Sequence, residues 1–557
     1  MPEQPELTIQ GWGPHPTGDS NDATGDRAPD LEAVIPKAAR RHLARELNWA
    51  PRHTPPVPVA EIRLAPSRLP ETARLALVEL LGEENVRTDR ESRLLRAGGK
   101  SYLDLLRRRA GDATDAPCAV VLPGTTEETA ALLALCSEHD VVVVPFGGGT
   151  SVVGGLAGVD PDDRPAVALD LRRMASVQEL DVPSSIVTVG PGMRGPALEE
   201  ELGRHGLTFG HLPQSWEFAT IGGYAATRSS GQASTGVGRF DDLVTGLTLA
   251  TPSGVLELGH PPASAAGPDL LGLALGSEGT LGVITEVRLR VRPRPTTSSY
   301  EGWSFRTWAE GLAALQRLAR HDLLPDVVRL SDVDETRANL LMSGSAGARV
   351  LRGTLKARGR GEGCLLVVGW EGLPDMVRAR ARAGSALLRE GRGVRLGRTV
   401  GESWRKHRFG APYTRDSLLD AGLLVETLET AATWAALPTV YDSVRRALRD
   451  ALTGGGRRPL VMTHLSHGYP TGASLYFTVL ADRDEELPIQ QWLGAKRAAT
   501  DALLAAGGTL THHHAVGADH RPWLDREVGA LGVEVLRAVK ARLDPKRICN
   551  PGVLLPD

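Results

Sequence analysis

PFGGGTSVVGGL, residues 145–156, follows directly on a run of four valines, Val141 to Val144. A continuously apolar run of that length reads as a strand buried on both faces. It ends in Gly147, Gly148 and Gly149, which permit positive φ and let a ligand approach the backbone closely. Successive N–H groups in such a loop form an anion-binding nest, and the hydroxyls of Thr150 and Ser151 add donors. A pyrophosphate is the natural guest. Taken alone, the loop reads equally well as an ordinary tight turn. It is not a P-loop, because the lysine is missing. It is not the G-x-G-x-x-G of a Rossmann unit either, because no helix follows. The next periodic segment is another strand, AVALDL at 166–171.

The pattern extends outward on both sides. Upstream, CAVVLP (118–123) is a short strand, and GTTEETAALLALCSEHD carries Thr125 and Glu128 at capping-box spacing before a helical apolar period. Strand, helix and strand in this length predict a crossover joining parallel strands. Downstream, SIVTVGPG (185–192), the helix GPALEEELGRHG and the strands VTGLTLATPSGVLEL and GVITEVRLRVRP make a second α/β unit. Residues 91–295 are therefore one domain in two subdomains. From 296 to about 500, helices such as WAEGLAALQRLARHD alternate with strands such as ASLYFTVLAD, which predicts a separate α+β domain. Residues 501–557 form a helix, a loop holding three adjacent histidines, and another helix. Residues 1–90, rich in Pro, Asp and Gly around 13–30, read as an extension, partly loop or disordered, with short helices. The fold class is α+β.

Composition narrows the function. A net charge of −3 excludes the basic face of a nucleic-acid binder. Cys118, Cys136, Cys364 and Cys549 are scattered, so neither a disulfide scaffold nor a zinc framework follows, and a cytoplasmic protein is expected. No apolar run reaches the roughly 18 residues of a membrane span. The end VLLPD is not a peroxisomal address.

Two further motifs follow the glycine loop in order, HLPQSWEFATIGGYAATRSSG (211–231) and LGSEGTLGVITEVRLRVRP (275–293). The trio resembles the FAD-binding domain of the vanillyl-alcohol-oxidase superfamily. The resemblance implies an FAD site of the PCMH type, a substrate-binding cap domain, and a C-terminal segment returning to the flavin. Its cofactor residues are Pro145, Phe146, Gly147, Gly148, Gly149, Thr150 and Ser151 from the first motif. The second supplies Pro213, Gln214, Ser215, Phe218, Ala219, Thr220, Gly222, Gly223, Ala226, Thr227, Arg228 and Ser229. The third supplies Glu278, Gly279, Thr280, Leu281, Gly282, Val283 and Ile284. Members that tether FAD covalently use a His or Cys near the glycine loop. This loop has neither, which implies non-covalent FAD.

The histidine loop, GGTLTHHHAVGADH (507–520), separates branches of that superfamily. Members acting on 2-hydroxy acids show Glu-His-Gly there. The triplet instead resembles the alkyldihydroxyacetonephosphate synthases, ether-lipid enzymes with Gly-Gly-Ser-Leu-Ser-His-His-His. APYTRDSLLDAG, PDVVRLSDVDET and SHGYPTGASLYFTV are similar to further stretches of those enzymes, over about residues 90–555. The resemblance implies exchange of the acyl chain of acyl-dihydroxyacetone phosphate for a fatty alcohol, with no net redox change, through an adduct at flavin N5. It implies Arg415 as the phosphate grip, His514 assisting, Tyr476 and His513 as proton-transfer groups, His512 in support, and Arg329 in the same pocket. Arg415 as an ion pair with Asp416, and Tyr476 as core, remain open readings. No metal is expected, because adjacent side chains point apart. A second enzyme reading is an FAD-linked dehydrogenase or oxidase of a 2-hydroxy acid. A third is a flavin-binding scaffold without chemistry. A lipid substrate implies transient contact with a membrane surface, and a homodimer is expected. ADHRPW after the triplet is less basic than in the synthases, and ICNPGVLLPD is closer to generic FAD oxidases. The Ala-, Arg- and Gly-rich composition suggests a bacterial chain.

Overall fold

The computed structural model describes residues 7–13 and 35–556, apart from 159, 161, 260, 261 and 455. Most of the Pro-, Asp- and Gly-rich stretch around 13–30 lies outside the described residues. Helix α1 (Lys37–Leu47) is the first helix among the described residues.

The glycine loop does leave the end of a buried strand. β1 (Ala119–Val121), α2 (Thr126–Glu138) and β2 (Val142–Phe146) are the expected strand, helix and strand. Thr125 caps α2 by accepting from Glu128 N at 3.1 Å. Both strands are parallel to β3 (Ala166–Asp170), but β3 lies between them. The α2 crossover therefore spans a strand made later in the chain. Val86–Arg87 adds an antiparallel strand at the β1 edge, and helix Glu71–Leu81 shares a core with α2. The expected boundary at residue 90 thus falls inside a packed unit. Apolar surface on that helix needed covering, and α2 supplied it.

The second sheet has the order β7–β6–β8–β5–β4, from β4 (Val177–Asp181), β5 (Ile186–Val189), β6 (Val244–Thr251), β7 (Gly254–Leu258) and β8 (Val283–Arg290). Helix α3 (Ile221–Thr227) packs Ile221, Tyr224 and Ala225 into its core.

The third sheet is antiparallel throughout. It is built from β9 (Thr297–Phe305), β10 (Val327–Ser331), β11 (Cys364–Gly372), β12 (Val394–Gly397), β13 (Leu423–Thr433), β14 (Leu460–Gly468) and β15 (Gly472–Asp482), in the order β12–β9–β11–β10–β14–β15–β13. Strand alternation gives it two different faces. Trp303, Trp370, Leu475, Phe477 and Val479 pack under helices on one side. The other side carries α4 (Val333–Met342), α5 (Ala346–Ala357), α6 (Arg398–His407), α7 (Ala411–Asp420) and α1, and a cavity lies between. After α8 (Pro488–Ala505) comes the histidine loop, then α9 (Leu524–Leu543). Residues 548–550 then return to β2: Val143 N donates to Ile548 O, and Asn550 N donates to Val143 O.

Candidate active site

The glycine loop presses against the segment before α3. A Cβ on Gly148 would stand 2.1 Å from the Phe218 carbonyl, and one on Gly147 would stand 2.3 Å from Thr220 Oγ1. The contact leaves the loop's N–H groups facing the cavity. Among the described residues, those of Gly147, Gly148, Gly149 and Thr150 take no acceptor. Thr220 caps α3 by accepting from Gly223 N, which aims that short helix's first turn at the same space. This donor set fits a pyrophosphate.

Twenty-one of the cofactor residues read from the motifs line the cavity. Phe218, Arg228, Thr280, Leu281 and Val283 do not. Phe218 stacks on Trp12 with ring centroids 5.4 Å apart. Arg228 is spent on the carbonyls of Leu275 and Gly272. Thr280 bonds Ser277 O, while Leu281 and Val283 point into hydrophobic cores. These five build the scaffold behind the cradle.

The cavity, about 1260 Å³, continues from the glycine loop across the third sheet. Cross-strand register orders its floor. Glu429, Tyr476 and His464 form one row across β13, β15 and β14. Two residues along comes Thr427, Thr478 and Met462, and two further Val425, Leu480 and Leu460. The floor therefore runs from polar to apolar along its strands. At the apolar end stand Ile35 just before α1 and Ala39 and Leu43 on it, and α4 supplies Ala338 and Leu341.

Glu429 organises the polar end. Its buried carboxylate accepts from Thr511 Oγ1 at 2.5 Å and from the backbone N–H groups of His512, His513 and His514 at 2.6, 3.2 and 2.9 Å. Burial alone would raise its pKa. It is nonetheless held well below the usual carboxylate range, with the Thr511 hydroxyl among the groups that favour the ionised form. From the other side, Glu278 of the third FAD motif accepts from Val516 N at 2.9 Å and Gly517 N at 2.9 Å. Burial pushes that carboxyl up to about 8, against the pull of those N–H groups. The histidine loop is thus pinned by one carboxyl group from each domain.

This pinning turns the triplet in an unexpected way. The side chains were expected to diverge, but gathering three backbone N–H groups on one carboxylate curls the loop. His512 Nδ1 and His513 Nδ1 stand 2.9 Å apart. His467 stacks on His512 at 5.1 Å, and the three rings hold nitrogens within 4.8 Å of one another. Two ligands of one zinc ion stand about 3.4 Å apart at ordinary Zn–N lengths. The 2.9 Å contact is a hydrogen bond instead. His513 and His514 line the cavity, and His512 sits behind them. Burial lowers His512 and His513 to about 3, so both rings are neutral. Tyr476 faces the cavity with its phenol pushed up to about 12 by burial.

Arg415 also lines the cavity. It does not pair with Asp416, whose carboxylate accepts from Trp12 N and Gly13 N. Arg415 Nη2 donates to Glu426 at 2.9 Å, Nη1 donates to Lys100 O at 2.9 Å, and Nε is buried without a partner. Lys100 lines the same corner, lowered to about 8 by burial. Arg329 stands across the floor, 2.8 Å from Glu335 and 3.1 Å from His464.

Glu429, Glu278's hold on the loop, Lys100, Glu335, His464 and His467 escaped the sequence reading. Two acids inside the apolar strand LLVETLETAAT were the visible signal for Glu429. Lys100 left none.

Residues 117–259 match the FAD binding domain, and residues 294–554 match the C-terminal domain of FAD linked oxidases. With the cradle described above, the chain belongs to the FAD-linked oxidase family, and its cofactor is FAD. Within that family it is similar to the alkyldihydroxyacetonephosphate synthase of Dictyostelium discoideum, 33% identical over 95% of this chain and 88% of that one. A solved structure of an alkyldihydroxyacetonephosphate synthase superposes with a TM-score of 0.82 at 29% identity, covering 98% of both chains. The cytochrome-linked mitochondrial D-lactate dehydrogenase of Arabidopsis thaliana is 26% identical over 85% of this chain and 78% of its own. No helix among the described residues is long and apolar enough to cross a membrane.

Proposed function

We propose that the protein exchanges the acyl chain of an acylated dihydroxyacetone phosphate for a long-chain alcohol. One observation carries this reading. A single cavity joins the FAD cradle, a cationic corner, neutral proton-transfer groups and an apolar stretch ending under α1. A 2-hydroxy acid would need the first three and would leave the apolar stretch unused.

FAD held on the glycine loop supplies the electron-accepting ring system. We read it as non-covalent, because the glycine loop carries neither a His nor a Cys. Arg415, which lines the cavity, offers its guanidinium charge to the substrate phosphate, with Lys100 adding charge and His514 beside them. His513, neutral and facing the cavity, takes a proton from C1 of the substrate, and the Glu429 carboxylate 3.4 Å away favours the imidazolium as it forms. Tyr476 is the second proton-transfer group. The alkyl chains lie along the Val425–Leu480–Leu460 row. A lipid of this kind reaches the protein from a membrane surface. Val350, exposed on α5 beside the cavity-lining Leu351, belongs to the face we assign to that contact.

The test is anaerobic incubation of the FAD-loaded protein with palmitoyl-dihydroxyacetone phosphate and hexadecanol. Alkyl-dihydroxyacetone phosphate and free palmitate, with the flavin oxidised at the end, are expected. Absence of the ether product, with lasting flavin bleaching by D-lactate, would replace this reading with 2-hydroxy acid oxidation.

A further inference from the structure

We propose that His513, His512 and Tyr469 form a proton relay leading from the cavity toward the protein surface, with Tyr469 as its outer member. The relay rests on the reading that His513 exchanges a proton with bound substrate.

The chain of contacts is short at each step. His513 Nδ1 lies 2.9 Å from His512 Nδ1, and His512 Nε2 lies 2.6 Å from the Tyr469 hydroxyl. His512 is buried, and Tyr469 is half-buried at the start of the β14–β15 turn, whose Pro470 and Thr471 are exposed, so the path leads toward that turn. His467 from β14 stacks on His512 and fixes its plane. Beside the phenol lies Ser230, a second polar neighbour of the Tyr469 oxygen.

A neutral imidazole has one donor nitrogen and one acceptor nitrogen. The chain therefore has two arrangements. In the first, His513 Nδ1–H donates to His512 Nδ1, and His512 Nε2–H donates to the Tyr469 oxygen. His513 Nε2 then keeps a lone pair for the cavity. When Nε2 takes a proton, Nδ1–H passes to His512 Nδ1, Nε2–H passes to the Tyr469 oxygen, and the original phenol proton leaves to water. One proton enters and one leaves, and all three groups end neutral. The reverse sequence returns a proton to the cavity. Burial keeps the two imidazoles from holding charge between transfers, which favours passage over storage.

The groups facing the relay are Glu429 from β13, His464 and His467 from β14, Tyr476 from β15 and His514 from the loop itself. Arg239, Asp241 and Asp242 face Tyr469 from outside. Glu429 pins the backbone of the loop, so the relay's geometry does not depend on Tyr469.

The test uses the full-length, FAD-loaded chain with two variants. Tyr469→Phe keeps the ring and removes the outer hydroxyl. His512→Asn keeps an amide near Nδ1 and cannot pass a proton through. Both are expected to lower kcat for the exchange by about 100-fold, the lower end of what a proton-transfer group contributes. KM should change little, and the product made in D2O should carry less deuterium at C1 than the wild-type product. Wild-type kcat and deuterium content in either variant would overturn the relay. So would a loss that falls on KM or flavin binding. If the wild type makes no ether product, the functional reading fails, and the relay is decided by 15N shifts of labelled histidines. One Nδ1 of the His512–His513 pair should be protonated and the other not, with Tyr469→Phe shifting His512. Two Nδ1 atoms of the same type would overturn it.

Discussion

Arg415 holds Glu426 and the Lys100 carbonyl with two nitrogens and keeps Nε unpartnered. A lysine there cannot serve both partners and an anion together. Arg415→Lys is expected to raise KM for the phosphorylated substrate about 10- to 100-fold, from one lost charge-assisted bond of roughly 1.5–3 kcal/mol. Lys100 has a pH signature. Its folded pKa, about 8, lies below the ordinary 10.5 because of burial. The unfolded chain holds that proton between those values, so folding stability rises with pH there, whereas anion binding weakens as pH passes 8. A KM that climbs above pH 8 in the wild type and stays flat in Lys100→Met is the expected outcome. His211, His512, His513 and His520 show the same sign at lower pH, each lowered to about 3 by burial. From pH 6.5 down toward 3 the unfolded chain binds protons that the folded one refuses. Stability should fall with a slope of up to about 1.4 kcal/mol per pH unit for each histidine, read from melting at a series of pH values.

Among the elements, the glycine loop tolerates no side chain where it meets Phe218. Gly148→Ala should abolish the flavin absorbance of the purified protein while leaving its far-UV spectrum intact. The histidine loop depends on Glu429 in the same way. Glu429→Ala leaves several buried N–H groups unpaired, at about 2–4 kcal/mol, and should lower both the melting temperature and activity. The loop and its two companion motifs were legible because each is local, a few residues of fixed type in sequence. Which motif residues face the ligand was less legible. Gly282 and Ile284 reach the cavity while Leu281 and Val283 turn away, and membership of a motif does not reveal the phase of a strand. The clamp on the histidines was not legible at all. Glu429 and Glu278 meet the loop from 83 and 238 residues away, and although acids in an apolar strand mark Glu429 as unusual, nothing local names its partner.

For the whole molecule, the changes of period along the chain could be read, whereas cradle, cap and returning segment came with the family resemblance. The position of β3 between β1 and β2 could not, because strand order is a property of pairing. Nor could the role of α1. Its apolar stripe announces burial without naming a partner, and the partner is the cap sheet some 400 residues on. From the Tyr476 row to the Leu480 row the floor measures about 13 Å at the rise of an antiparallel strand. Ala39 closes that stretch from above. Ala39→Phe should therefore shift the preferred alcohol to a shorter chain, measured by competition among alcohols of different lengths, with kcat on the shortest ones preserved.

The pairing of residues 548–550 with β2 bears on how the protein is made. Asn550 reaches back 395 positions to the carbonyl of Gly155. A ribosome has finished the glycine loop long before it adds the residues that brace it. Until they emerge, β2 keeps an open edge at the very strand that presents the cofactor cradle, and the histidines do not yet exist. The last brace of the cradle and the histidines are therefore both late additions to each nascent chain.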